Sequence, residues 1–396
     1  MTRLFDKFEP IKDALRSITD CGLDSINIVM ERVLSPTEAI INGRRTILAG
    51  TNNYLGITFD PECIEAACKA LREEGTGTTG SRMANGTYAG HVALEQELAE
   101  FFDKDFCIVF STGFTANLAM LGTLAGPDDV ILLDSDCHAS IYDGCRLSGA
   151  QFMLFRHNDP DNLEKRLKRL KDRSKNTLIV IEGLYSMRGD RAVLQDIVDI
   201  KNRYGACLMV DEAHSLGVLG EHGRGLAEEV SLEDHVDFVV GTFSKSLGSI
   251  GGFCVSNHQE LDLLRYASRP YIFTASPSPA VIASTRVALK RLRTRPELRS
   301  RLWENARNLY QRLHDMNFSL GPEPSPIIAV CMKDKEQTLR VWSGLLERGV
   351  YVNMVLPPAT PDAYPLLRCS MSAAHTPEQV DMICDSFSAF KELAAI

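Results

Sequence analysis

No apolar run in the 396-residue chain reaches the ~18–20 residues needed to cross a bilayer. The opening residues, M-T-R-L-F-D-K-F-E-P, are charged and lack the apolar core of a secretory signal, so a cytoplasmic protein is expected. The product class argued below leaves open a loose contact with the inner face of the membrane. The eleven cysteines are odd in number and include no C-x-x-C pair, which favours reduced thiols over disulfides or a zinc site. Positive charge is also short. The 43 Lys and Arg against 52 Asp and Glu leave a net charge of −9, unlike a nucleic-acid binder. Internal repeats and low-complexity stretches are absent. What remains is an ordinary globular composition, 44% hydrophobic and 24% charged, long enough for two or three domains.

Short apolar runs recur at 107–110, 130–133, 152–155, 178–181, 207–210 and 236–240. Helical spacings lie between most of them, such as Leu163, Leu167, Leu170 and then Leu194, Ile197, Val198. Continuous apolar strands alternating with helices predict an α/β fold, with a mainly parallel central sheet covered by helices on both faces. A strand pair is expected earlier, at 38–41 and 46–49, and a helix face at Ile64, Ala67, Cys68 and Leu71. Three more strands, at 327–332, 351–354 and 366–371, predict a smaller α+β domain at the C-terminus. The expected division is an N-terminal segment 1–60, a large domain 61–285 and a small domain 286–396.

Ligands in parallel sheets sit beyond the carboxyl ends of the strands. The candidate polar residues fall at those ends. Gly113 and Phe114 open a helix after 107–110, and a helix start suits phosphate. His138 follows 130–133, Ser186 follows 178–181, and Asp211 and His214 follow 207–210 in D-E-A-H-S. After 236–240 comes G-T-F-S-K-S-L-G, with Thr242, Ser244 and Lys245. A lysine beside hydroxyls on a glycine-bordered turn suits a phosphorylated carbonyl compound, because the hydroxyls bind phosphate and the amine condenses with an aldehyde. An Asp at a neighbouring strand end can keep a pyridine nitrogen protonated, which turns the ring into an electron sink. His214 can reach a ring substituent, and His138 can stack on the ring. Together these parts describe a pyridoxal phosphate site.

The ordered set N-N-Y-L-G, S-T-G-F, D-x-x-H-A-S, Y-S-M-x-G-D, D-E-A-H-S-x-G and G-T-F-S-K-S-L-G resembles the α-oxoamine synthases, a family of fold-type I pyridoxal phosphate enzymes. It runs over roughly residues 35–376, nearly the whole chain. The resemblance implies that Lys245 holds the cofactor as a Schiff base and then removes the substrate Cα proton. It implies Asp211 on the pyridine nitrogen, His214 on the ring oxygen, and His138 stacked on the ring near the substrate carboxylate. Gly113, Phe114, Thr242 and Ser244 would hold cofactor and phosphate, with Ser186 nearby. Thr274 and Ser276 would complete the phosphate site of a neighbouring subunit, making a homodimer with shared sites. Asn53 and Arg368 would contact the amino-acid substrate. No metal is implied.

The implied reaction is a decarboxylating condensation of an amino acid with an acyl thioester, carried by coenzyme A or an acyl carrier protein. The phrases S-P-T-E-A (35–39), R-P-Y-I-F-T-A-S (269–276) and P-P-A-T-P (357–361) favour L-serine with a long-chain thioester. The sister pairings are glycine with acetyl-CoA and alanine with a pimeloyl thioester. Leu356 departs from relatives that carry Arg before Pro-Pro, which removes one carboxylate partner. D-E-A-H also occurs in helicases, but no G-x-x-x-x-G-K-S/T loop accompanies it here. A non-catalytic partner subunit would be expected to lack Lys245. The basic stretch from Arg286 to Arg301 reads first as a solvated helix face. Cys137 is set aside as a nucleophile, because adjacent residues on an extended segment point apart.

Overall fold

A computed structural model describes residues 3–19, 28–357, 360 and 364–393. The chain groups into two compact units. One comprises Asn52–Glu304 with Ser372–Ala374, the other Met1–Thr51, Asn305–Met371 and His375–Ile396.

The larger unit is built on a seven-stranded sheet. Its strands run, edge to edge, Phe106–Phe110, Gly252–Ser256, Phe238–Thr242, Cys207–Asp211, Thr177–Glu182, Val130–Asp134 and Gln151–Phe155. Gly252–Ser256 is antiparallel to both its neighbours, and the remaining pairings are parallel. Successive strand residues point to opposite faces. In Val130–Asp134, Thr177–Glu182 and Phe238–Thr242 every residue is buried, so both faces of the sheet are covered. Each fully buried Val, Leu or Ile there contributes about 1.5–3 kcal/mol relative to exposure. Four of the strands run past their apolar stretches at the carboxyl end. Asp134, Glu182, Asp211 and Thr242 end them, and the parallel pairing brings these four ends to one edge.

The helix expected from Ile64, Ala67, Cys68 and Leu71 forms as Pro61–Glu74, started by Pro61 and by Asp60 capping the amides of Glu62 and Cys63. Its buried positions are Cys63 and Ala70, whereas Ile64 and Leu71 are exposed. Small residues face the packed helix Pro279–Thr294, so the large apolar stripe located the helix but not its buried side. The long basic stretch is two helices, Pro279–Thr294 and Pro296–Asp315. Among the described residues no helix is long and apolar enough to cross a membrane.

The smaller unit holds a four-stranded sheet (Arg32–Ser35, Glu38–Ile41, Arg44–Leu48, Val350–Tyr351) and a three-stranded one (Ile327–Cys331, Leu366–Ser370, Asn353–Val355). The single strand expected at 351–354 is therefore two. Val350–Tyr351 pairs in parallel with Arg44–Leu48, while Asn353–Val355 pairs antiparallel with Leu366–Ser370. The Val352 carbonyl between them accepts from Trp342 Nε1 at 2.9 Å, which satisfies the backbone where the chain changes sheets. Of the P-P-A-T-P stretch, residues 358, 359 and 361 lie outside the described residues.

Candidate active site

A cavity of about 290 Å³ opens at the edge where the parallel strands end. Eight of the sequence-derived residues line it: Gly113, Phe114, His138, Asp211, His214, Thr242, Ser244 and Lys245.

Its acidic wall is Asp211, 5% exposed. Oδ1 of Asp211 accepts the Ala213 amide at 2.9 Å, and Oδ2 accepts Asn117 Nδ2 at 2.8 Å. Glu182 ends the next strand in register with Asp211 and also lines the cavity. Burial, followed by the Asp211 charge, pushes the Glu182 carboxyl well above the usual carboxylate range. Glu182 accepts the backbone N–H of His138.

His138 caps the helix Ala139–Ser148, its Nδ1 accepting the Ser140 amide. Burial lowers the His138 pKa; Asp211 opposes that shift and the Lys245 ammonium adds to it. The Phe114 ring stands edge-on to the His138 ring, centroids 6.4 Å apart. The His214 ring is fixed through Nδ1 by the Tyr54 hydroxyl at 2.7 Å.

The opposite wall is the turn between Phe238–Thr242 and Gly252–Ser256. Thr242 Oγ1 donates to the Gly251 carbonyl at 2.9 Å and lies 2.9 Å from Ser244 Oγ, while the Ser244 amide donates back to Thr242 Oγ1 at 3.3 Å. Gly248, at φ +58°, takes the left-handed conformation that lets this turn close after Lys245. The helix Gly113–Leu124 begins against this wall. A Cβ on Gly113 would sit 2.8 Å from Thr242 Cβ, so only glycine lets the helix start come this near the strand end.

Other residues lie elsewhere. Ser186 is half-buried in the turn after Thr177–Glu182 and is not in the cavity lining. Thr274 and Ser276 follow the short helix Arg269–Ile272. Ser276 Oγ bonds Thr78 Oγ1 at 2.7 Å and the Gly86 carbonyl at 2.6 Å, joining this segment to the stretch from Thr78 to Gly86. Asn53 Nδ2 donates to Thr58 Oγ1 at 2.8 Å. Arg368 belongs to the smaller unit, buried in Leu366–Ser370, with Nη1 donating to Ser370 Oγ at 2.9 Å. Cys137 is buried, its thiol directed at the Val180 carbonyl and its pKa raised far by burial, which removes it as a nucleophile.

Asn117, Ser140, Glu182 and Tyr54 were missed from the sequence. Asn117 sits one helical turn after Gly113 and so shares its face, the one signal that could have found it.

The donor set suits one kind of occupant. A carboxylate with neighbouring acceptors satisfied faces an amine, two hydroxyls and a helix start across a small cavity. That arrangement fits a phosphorylated pyridine aldehyde, with its ring nitrogen toward Asp211 and its phosphate toward the helix start and hydroxyls.

Residues 45–387 match the family described as aminotransferase class I and II. The serine palmitoyltransferase of Caulobacter vibrioides is 56% identical over 97% of this chain and 95% of its own length. A solved Sphingomonas wittichii serine palmitoyltransferase superposes with a TM-score of 0.95 at 52% identity, covering 98% of each chain. A high-resolution structure of SPT with its PLP internal aldimine superposes with a TM-score of 0.96 at 49% identity, over 99% of this chain and 100% of that one. The chain belongs to the aminotransferase class I and II family, as a fold-type I enzyme close to the bacterial serine palmitoyltransferases.

Proposed function

We propose that the chain condenses L-serine with palmitoyl-CoA, releasing coenzyme A and CO2 and forming 3-oxosphinganine, the first step of sphingolipid synthesis. The carrying observation is the single cavity in which Lys245, Asp211, His138, His214 and the helix start at Gly113 converge, in a chain 56% identical to a serine palmitoyltransferase. The cofactor is pyridoxal 5'-phosphate, which when bound supplies an electron sink for negative charge at the amino acid's Cα.

The chain's own residues do the rest. Asn117 and the Ala213 amide hold the Asp211 carboxylate in place, and it would pair there with the protonated ring nitrogen. His214, braced by Tyr54, bonds the ring oxygen. The helix start at Gly113 and Phe114 takes the phosphate with Thr242 and Ser244. Lys245 would hold the cofactor through its amine and, with serine bound, would take the Cα proton. His138 would stand against the ring and bond the substrate carboxylate, with Asn53 and Arg368 proposed as further partners of that carboxylate; an Arg can grip it with two hydrogen bonds.

The working unit is a homodimer in which Thr274 and Ser276 of each copy complete the other's phosphate site. The position of this segment away from its own chain's cavity, and the exposure of Phe273, Ile64 and Leu71, support that reading. We propose a cytoplasmic enzyme, and its lipid product leaves open a loose contact with the inner face of the membrane. Carboxyl-labelled L-serine tests the reaction. Label should leave as CO2 only when palmitoyl-CoA is present, with one thiol released per CO2. Release without the thioester, or none with it, would refute the condensation.

A further inference from the structure

We propose that Ser140 and Asn117 are positioning residues that hold His138 in the neutral form with its one proton on Nε2. Two contacts converge on Nδ1 of His138: the Ser140 backbone N–H at 3.2 Å and the Ser140 hydroxyl at 2.8 Å. A backbone N–H can only donate, so Nδ1 must offer a lone pair. The hydroxyl proton also points there, for a reason set one residue further back.

Asn117 Nδ2 lies 2.9 Å from Ser140 Oγ and 2.8 Å from Asp211 Oδ2. An amide nitrogen brings two hydrogens and accepts none. One goes to the carboxylate and the other to the serine oxygen. The amide cannot be reversed, since its oxygen would then face the Asp211 carboxylate. Ser140 Oγ is therefore an acceptor toward Asn117, and its own hydrogen is left for His138. The price of this orientation is visible in the structure: Asn117 Oδ1 is buried without a partner among the described residues. Asn117 and Ser140 are 2% and 1% exposed, so water does not substitute for either link.

The direction of every hydrogen from Asp211 to His138 is thus determined. His138 offers the cavity a donor at Nε2, and its Nδ1 lone pair is already engaged. It can bond a carboxylate oxygen, but it is not available as a base. That leaves Lys245 without a competitor for the Cα proton, a consequence that rests on the function proposed above; the tautomer itself does not.

The test is solid-state NMR of the pyridoxal phosphate-loaded enzyme labelled with 15N-histidine, near neutral pH. The His138 signals are identified by their loss in His138→Asn. The expected pattern is an unprotonated Nδ1 and a protonated Nε2. Ser140→Ala keeps the backbone donor but loses the hydroxyl, so it should admit part of the Nδ1–H tautomer, and Ser140→Thr, which keeps the hydroxyl, should restore the wild-type pattern. A protonated Nδ1 in the unmodified enzyme would overturn the tautomer, and a wild-type pattern in Ser140→Ala would overturn the positioning role of the Ser140 and Asn117 side chains. An Nε2–H histidine in a protein that fails to turn over serine would uphold the relay and refute the substrate instead.

Discussion

The hydroxyl of Tyr54 lies 2.7 Å from Nδ1 of His214, joining residues 160 positions apart, and the tyrosine side chain has no solvent exposure. The N-N-Y-L-G stretch thereby braces the histidine of D-E-A-H-S. Tyr54→Phe removes this hydrogen bond, worth about 1 kcal/mol, together with the longer one the hydroxyl donates to Asn52 Oδ1 at 3.3 Å, and leaves the ring volume in place. Affinity for pyridoxal phosphate should fall roughly fivefold in a titration of the cofactor-free protein. Unchanged affinity would show that His214 holds its place without Tyr54.

His157 lies between two carboxylates, Nδ1 at 2.9 Å from Asp134 and Nε2 at 2.6 Å from Asp190. Burial disfavours its charge, but hydrogen bonds and attraction from the two acids outweigh that and raise its pKa to about 10. The folded value lies above the unfolded one, near 6.5. Its stabilisation is fully present below about pH 6.5 and declines as pH rises toward 10. In thermal melts between pH 7 and 10, His157→Gln should lose less stability with rising pH than the unmodified protein. Parallel slopes would show that His157 is not the charged link.

Asp211→Ala should leave Lys245 able to hold the cofactor yet cut removal of the serine Cα proton. A reduction of about 10²–10⁴-fold is expected, equivalent to the ~3–5 kcal/mol of breaking one side of a buried ion pair. Exchange of Cα deuterium from labelled serine into solvent reads this directly. An unchanged exchange rate would remove Asp211 from the electron-sink role.

Lys245→Ala should abolish turnover, and Thr274→Ala should impair it. If sites are shared across a dimer, mixing the two variants rebuilds one intact site per mixed dimer. Activity should then rise above the sum of the parents, toward about a quarter of wild type for random pairing. Recovery no greater than that sum would place Thr274 outside the partner's site.

The strands were legible because a sheet buried on both faces leaves unbroken apolar runs, and the residues just past those runs became the cavity wall. Asp211 and Lys245 could be found this way. Ser140 could not, since a polar residue inside a helix breaks no pattern and its partner is set by packing between distant segments, and Asn117 is marked only by standing one turn after Gly113. Glu182 was passed over because it extends a strand by one residue, although Asp134 and Asp211 do the same. Ile64 and Leu71 marked a helix correctly, yet the side that is buried within the chain is the one carrying Cys63 and Ala70.

The most direct test is a spectral titration of the cofactor-loaded protein with L-serine, glycine, L-alanine and L-threonine, each followed by palmitoyl-CoA with thiol release recorded. Saturable change with serine and rapid thiol release on adding palmitoyl-CoA are the expected results. A response confined to glycine or alanine, with thiol release only from short or dicarboxylic thioesters, would contradict the serine condensation while leaving the cofactor site in place.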